Sequence, residues 1–170
     1  MTELQYPIGT CVYQDHYTTE QIHQFIVELE SFPTRLRKEV EGITEAQWQT
    51  PYRPDGWTVH QVVHHCADSH LNALLRLKLA LTTDNPTINP YPEDKWAMQA
   101  DYNLSPEIAL RLLDAVHPKI VAIAQALSPS DLNKTYFHPQ YKREFRLSDV
   151  LCLYAWHGNH HLAHIQLVTR

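Results

Sequence analysis

The sequence predicts an all-α protein, an antiparallel bundle of four long helices with a short irregular or hairpin segment before the last one. Three observations carry this. Separate segments place their apolar residues at a period near 3.6. Three of them open on helix-start chemistry, at Thr58, at Ser105 and at Ser148-Asp149. Proline-rich stretches stand between them, around Pro51 and Pro54 and through NPTINPYPEDKW. The chain of 170 residues has no repeat, low-complexity tract or linker, so residues 1–170 read as a single domain with one sizeable core. Packing helix on helix is the default for such a pattern.

The first 17 or so residues read as irregular, with Pro7 and Gly9 breaking any pattern. A helix begins near Thr19 and carries Ile22, Phe25, Ile26 and Leu29 on one face. Pro33 is expected to interrupt it, leaving a second piece with Leu36, Val40 and Ile43. After the loop, Thr58 is an N-cap and Gln61 completes its capping box. That helix should run to about Leu81, where TTDNP stops it. Ser105-Pro106-Glu107 supplies a cap, a proline at the first helical position and an acid in the first turn. The helix it opens carries Ile108, Leu112, Val116, Ile120, Ile123 and Leu127. NKTYFHPQYKREFRL, residues 133–147, is either a short hairpin or an extended loop. Ser148-Asp149 then caps a last helix that reaches nearly to Arg170.

Composition narrows function. Net charge is -5, which argues against nucleic acid as a partner. No apolar run reaches the ~20 residues of a membrane span, and no signal peptide opens the chain. Cys11, Cys66 and Cys152 form no disulfide framework and fit a reducing cytoplasm. There is no GxxxxGK[ST] or GxGxxG phosphate loop. The anomaly is histidine, at 12 of 170 residues.

Four of these lie in WHGNHHLAHI: His157, His160, His161 and His164. With His157 at zero, a step of about 100° puts His160 near -60°, His161 near +40° and His164 near -20°. They share the face of Val150, Leu153, Tyr154 and Val168, the side an amphipathic helix buries. One histidine there is ordinarily a hydrogen-bonded core residue. Four unpartnered imidazoles would cost ~1–3 kcal/mol each, and a divalent metal satisfies several at once. Both His157/His161 and His160/His164 have the i, i+4 spacing that lets two rings share an ion.

A third ligand is sought in VVHHCADSHLNALLR, where His64, His65, His70 and Asp68 are candidates. Gln61, His65, Asp68, Ser69, Asn72 and Arg76 form a polar stripe at helical spacing. It is either solvent surface or the lining of a wet cavity. In the second case His65 is the ligand and His64 its packed neighbour. Cys66 and Cys152 read as small core residues. Three imidazoles suit several first-row metals, and three ligands plus water is the catalytic pattern.

YPIG at 6–9, TPYRPDGWTVHQVVHHCADSH at 50–70, RLKLALTTDNPTINPY at 76–91 and YAWHGNHHLAHI at 154–165 resemble the YfiT-type metal-dependent hydrolases of the DinB-like superfamily. That family carries the hydrolase label on its metal geometry rather than on a measured reaction. The likeness covers nearly the whole chain and is weakest over about 95–145. It implies a DinB-like four-helix bundle and a metal held by His65, His157 and His161, with His160 and His164 beside them. It implies one divalent ion per subunit, zinc or nickel, in a cytoplasmic homodimer acting on a small molecule.

Three functions follow as expectations. In a hydrolase the ion lowers the pKa of its bound water, the nucleophile, and Asp68 orients His65 or acts as base. In a thiol S-transferase the site holds a low-molecular-weight thiol as thiolate, and Arg76 meets a carboxylate on that cofactor. In a non-enzymatic metal-binding bundle a fourth protein ligand, Asp68 or a nearby histidine, closes the site.

Overall fold

The computed structural model describes residues 3–170; Met1 and Thr2, part of the stretch expected to be irregular, lie outside the described residues. Four long helices, α1 (Thr19–Glu39), α3 (Val59–Thr82), α5 (Pro106–Ala126) and α6 (Leu147–Thr169), form the bundle. Two one-turn helices, α2 (Glu45–Trp48) and α4 (Glu93–Trp96), sit in the connections. Strands β1 (Thr135–His138) and β2 (Arg143–Arg146) make an antiparallel hairpin with Thr135 opposite Arg146. The aromatic stretch before the last helix is therefore a hairpin, held to the bundle by the enclosed Tyr136 and Phe145. Among the described residues no helix is long and apolar enough to cross a membrane.

The same T-x-x-Q box opens three helices: Thr18/Gln21, Thr44/Gln47 and Thr58/Gln61. Only the third was anticipated. At the last helix the expectation fails by two residues. Ser148 and Asp149 lie buried inside the first turn of α6, and Arg146 is the N-cap. Asp149 acts as the third residue of the box, accepting from the Arg146 backbone N–H at 3.1 Å.

Pro33 does not interrupt α1, which runs through it to Glu39. A helical proline leaves the carbonyl four residues earlier without its donor, here that of Leu29. His117 of α5 donates its Nδ1–H to that carbonyl, so the neighbouring helix supplies the bond the proline removes.

The helices are not all antiparallel to their neighbours. α1 packs on α5 and α6, and α3 packs on the same two. Along α1 and α6 the partners advance together, Tyr17 with Asp149, Glu28 with Asn159 and Glu39 with Thr169. His60 and His64 near the start of α3 donate to Leu104, just before α5, and His70 stacks on His117. So α1/α6 and α3/α5 run parallel. Antiparallel neighbours follow from short connections. Residues 83–105 can reach about 75 Å, enough to return along α3, whose 24 residues rise about 36 Å.

Gly158 brings α6 against α1. A Cβ there would stand 2.9 Å from Cδ2 of Phe32. That ring cannot easily retreat, because it stacks on His70 with centroids 5.1 Å apart. Gly158→Ala is expected to destabilise the protein by about 1–3 kcal/mol through overpacking. Urea unfolding would show this as a lower midpoint, and an unchanged midpoint would mean the ring yields.

Candidate metal centre

His65 projects from α3, and His157 and His161 from the antiparallel α6, so that one ring nitrogen of each lies within 4.8 Å of the others. His65 Nε2 and His157 Nε2 are 3.1 Å apart. Two imidazole nitrogens sharing a tetrahedral zinc stand about 3.3 Å apart, given Zn–N of roughly 2.0–2.1 Å. Burial, reinforced by neighbouring histidines, holds His65 at about 3 and keeps His157 and His161 well below the usual histidine range. All three are therefore neutral at pH 7, the state a metal ligand requires.

An outer hydrogen bond fixes which nitrogen His161 offers, and another contact bears on His157. His164 donates Nε2–H to the Gln5 carbonyl at 3.1 Å, leaving its Nδ1 as an acceptor. His161 Nδ1 lies 3.3 Å from that acceptor and donates to it, so its Nε2 keeps a free lone pair. His70 Nε2 lies 3.2 Å from His157 Nδ1. With His157 donating there, its Nε2 offers a lone pair beside that of His65. His70 is wholly enclosed between Phe32 and His117, which fixes its ring. A set of three neutral imidazoles fits a first-row divalent ion.

His160, His161 and His164 form a second group within 4.8 Å, sharing His161 with the first. Its outer members are occupied otherwise: His164 stacks on Tyr52 at 3.9 Å and His160 on Trp156 at 4.4 Å. The N-terminal arm reaches this side of α6 as well, with Trp156 donating to the Gly9 carbonyl.

The first group opens into a cleft of about 270 Å³, whose wall includes Ser69, Arg76, Tyr91, Glu93, Tyr141 and Tyr154. Ser69 Oγ lies 3.3 Å from His157 Nε2. Of the polar stripe on α3, then, His65, Ser69 and Arg76 face the cleft. Asp68 does not line it: its carboxylate accepts from the Tyr102 hydroxyl at 2.9 Å. Burial raises the Asp68 pKa and the Tyr102 bond opposes the rise. Nor does Asp68 orient His65, whose Nδ1 is buried without a hydrogen-bond partner. His64 packs on Tyr102 and donates to Leu104. Cys66 is core, and Cys152 faces Cys11 with sulfurs 3.9 Å apart.

The residues that sequence reading missed come from the connections. Tyr91 and Glu93 belong to NPTINPYPEDKW, and Tyr136, His138 and Tyr141 to the hairpin. Their signal was the density of aromatics in segments otherwise read as loop.

Comparison with known proteins identifies the family. The family model of the DinB superfamily matches residues 28–165. A protein of Bacillus mycoides (strain KBAB4) named "Putative metal-dependent hydrolase" is 46% identical over 165 residues, covering 97% of this chain and 95% of the relative. One of Bacillus cereus (strain B4264) with the same designation is 47% identical over the same shares. Among solved structures, YfiT from Bacillus subtilis, described as "a probable metal-dependent hydrolase with an unusual four-helix bundle topology", superposes with a TM-score of 0.96 at 40% identity, over 99% of this chain and 97% of that one. The four-helix bundle protein TT2238, at a TM-score of 0.60 and 21% identity over 85% of this chain and 98% of that one, shares the fold.

Proposed function

This chain belongs to the DinB superfamily, and from that premise we propose that it is a metal-dependent hydrolase whose ion is held by His65, His157 and His161. One observation carries the reading: three neutral imidazoles converge where a cleft leaves their fourth side open. Among the described residues no cysteine or carboxylate joins the group, and three ligands with an open position is the catalytic rather than the structural pattern. A zinc or nickel ion held by these three rings would supply Lewis acidity at the open side of the site. His70 and His164 hold the rings of His157 and His161 in the ligating tautomer. Glu93, at the exposed rim, is the carboxylate placed to take a proton, since Asp68 is engaged with Tyr102 outside the cleft. The reading takes a small-molecule substrate and one ion per subunit of a cytoplasmic homodimer.

His164→Phe is expected to weaken metal affinity about 10–100-fold. The ring still stacks on Tyr52, while the acceptor for His161 is lost together with the bond to the Gln5 carbonyl. Chelator competition measures this; an unchanged affinity would mean that His161 is oriented by something else.

The function itself is tested by an activity screen of the metal-reconstituted protein with esters, amides and electrophiles, with and without low-molecular-weight thiols. Turnover without thiol supports the hydrolase. Turnover only with thiol assigns the site to S-transfer, in which the same open position takes a thiolate. Stoichiometric metal with no turnover of any substrate class favours a non-enzymatic bundle.

A further inference from the structure

The geometry points to Arg76 as the anchor for a carboxylate on the molecule that enters the cleft. This rests on reading the cleft as the substrate site.

Arg76 follows His65 by eleven residues on α3. At about 100° and 1.5 Å per residue it returns to the same face some 16 Å along. Side chains lean towards the helix N-terminus, so its guanidinium comes back towards the histidines. It is only 8% exposed, although arginine is almost never buried unless paired. Among the described residues no carboxylate lies within 4.0 Å of it. Nη1 donates to the Tyr154 hydroxyl at 2.9 Å, and Nε is buried with no partner. Guanidinium cannot shed its charge in a protein, so burial leaves a fixed cation with unused donors.

Its surroundings define the ligand. Tyr91, Tyr136, Tyr141 and Tyr154 act on the cation, Glu93 at the rim feels its charge without pairing with it, and among the described residues it is the only lysine or arginine lining the cleft. The histidines there are neutral. One planar fork in a small aromatic cavity matches one carboxylate, which takes two parallel N–H bonds. A phosphate dianion would call for a second cation, and among the described residues the wall holds none. The substrate is thus a small acid whose carboxylate sits on the order of 10 Å from the bond presented to the histidines.

The test is binding of benzoate against benzamide, its neutral isostere, to the full chain with and without stoichiometric zinc, followed by quenching of Trp57 and Trp156 at the cleft. Benzoate is expected to bind at least tenfold more tightly than benzamide in both forms. Arg76→Lys, which keeps the charge and loses the fork, is expected to weaken benzoate at least tenfold and leave benzamide unchanged. The wild-type pair of ligands decides the matter even if the variant fails to fold. Equal binding of both ligands, or no binding, overturns the proposal. So does benzoate binding that needs zinc and ignores Arg76→Lys, because the ion then takes the carboxylate. Arg76-dependent benzoate binding in a protein that takes up no zinc would keep the anchor and refute the metal centre instead.

Discussion

His157→Ala is expected to abolish stoichiometric metal binding and to lower turnover by at least about 10³-fold, whereas His160→Ala should leave the metal in place. Loss of the ion removes several kcal/mol of transition-state stabilisation, and each tenfold is about 1.4 kcal/mol. This pair of variants is more informative than His161→Ala. His161 belongs to both histidine groups, while His157 and His160 each belong to one. His157→Ala also strands the Nε2 of His70, a buried group whose lost partner costs about 1–3 kcal/mol. Thermal unfolding of each variant therefore accompanies the metal analysis. Metal kept by His157→Ala and lost by His160→Ala would move the site to the second group.

The metal-free protein should lose stability steeply below about pH 6. Burial holds His117 at about 4, against the opposing bond that its Nδ1–H donates to the Leu29 carbonyl and the charge of Asp114. Burial and the charge of Arg76 hold His138 at about 4. In the unfolded chain both return to ~6.5. Between these values the unfolded state binds more protons, so stability is complete above the unfolded pKa and is lost as pH falls towards 4. His117, at 1% exposure, accounts for about 3 kcal/mol of that loss. Total stabilities are commonly about 5–15 kcal/mol, so this share is large. Urea midpoints in EDTA at a series of pH values measure the effect. His117→Asn should flatten the slope at pH 5 by about 1.4 kcal/mol per pH unit. A wild-type midpoint that does not move between pH 7 and 4.5 would mean that these rings are not buried in the neutral form.

Local chemistry made much of the fold legible. Helical periodicity and the caps at Thr58 and Ser105 located α3 and α5 to within a residue or two. What escaped was non-local. The passage of α1 through Pro33 depends on a donor 88 positions from its acceptor, which no window of sequence contains. The parallel pairing of α3 with α5 depends on the path of residues 83–105, and composition alone does not state a path.

The site divides in the same way. The histidines of α6 were visible as a stripe because helical spacing fixes their common face. The choice between His157/His161 and His160/His164 was not, because both pairs satisfy the same spacing. The structure separates them by what lies opposite: His65 on α3 faces the first pair, and the Gln5 carbonyl and Tyr52 take His164. Asp68 shared the polar stripe of His65, yet three residues turn it about 60° away, enough to meet Tyr102 instead of the cleft. The sequence offers Arg76 as a carboxylate partner but does not show its burial, because the polar stripe it shares reads equally as solvent surface.

The most direct test of the central claim is an anomalous difference map from crystals of the zinc-loaded protein. One peak per chain is expected, about 2.0–2.1 Å from a nitrogen of each of His65, His157 and His161, with its remaining coordination side turned to the cleft. A peak among His160, His161 and His164, or a fourth side chain closing the shell, would contradict it.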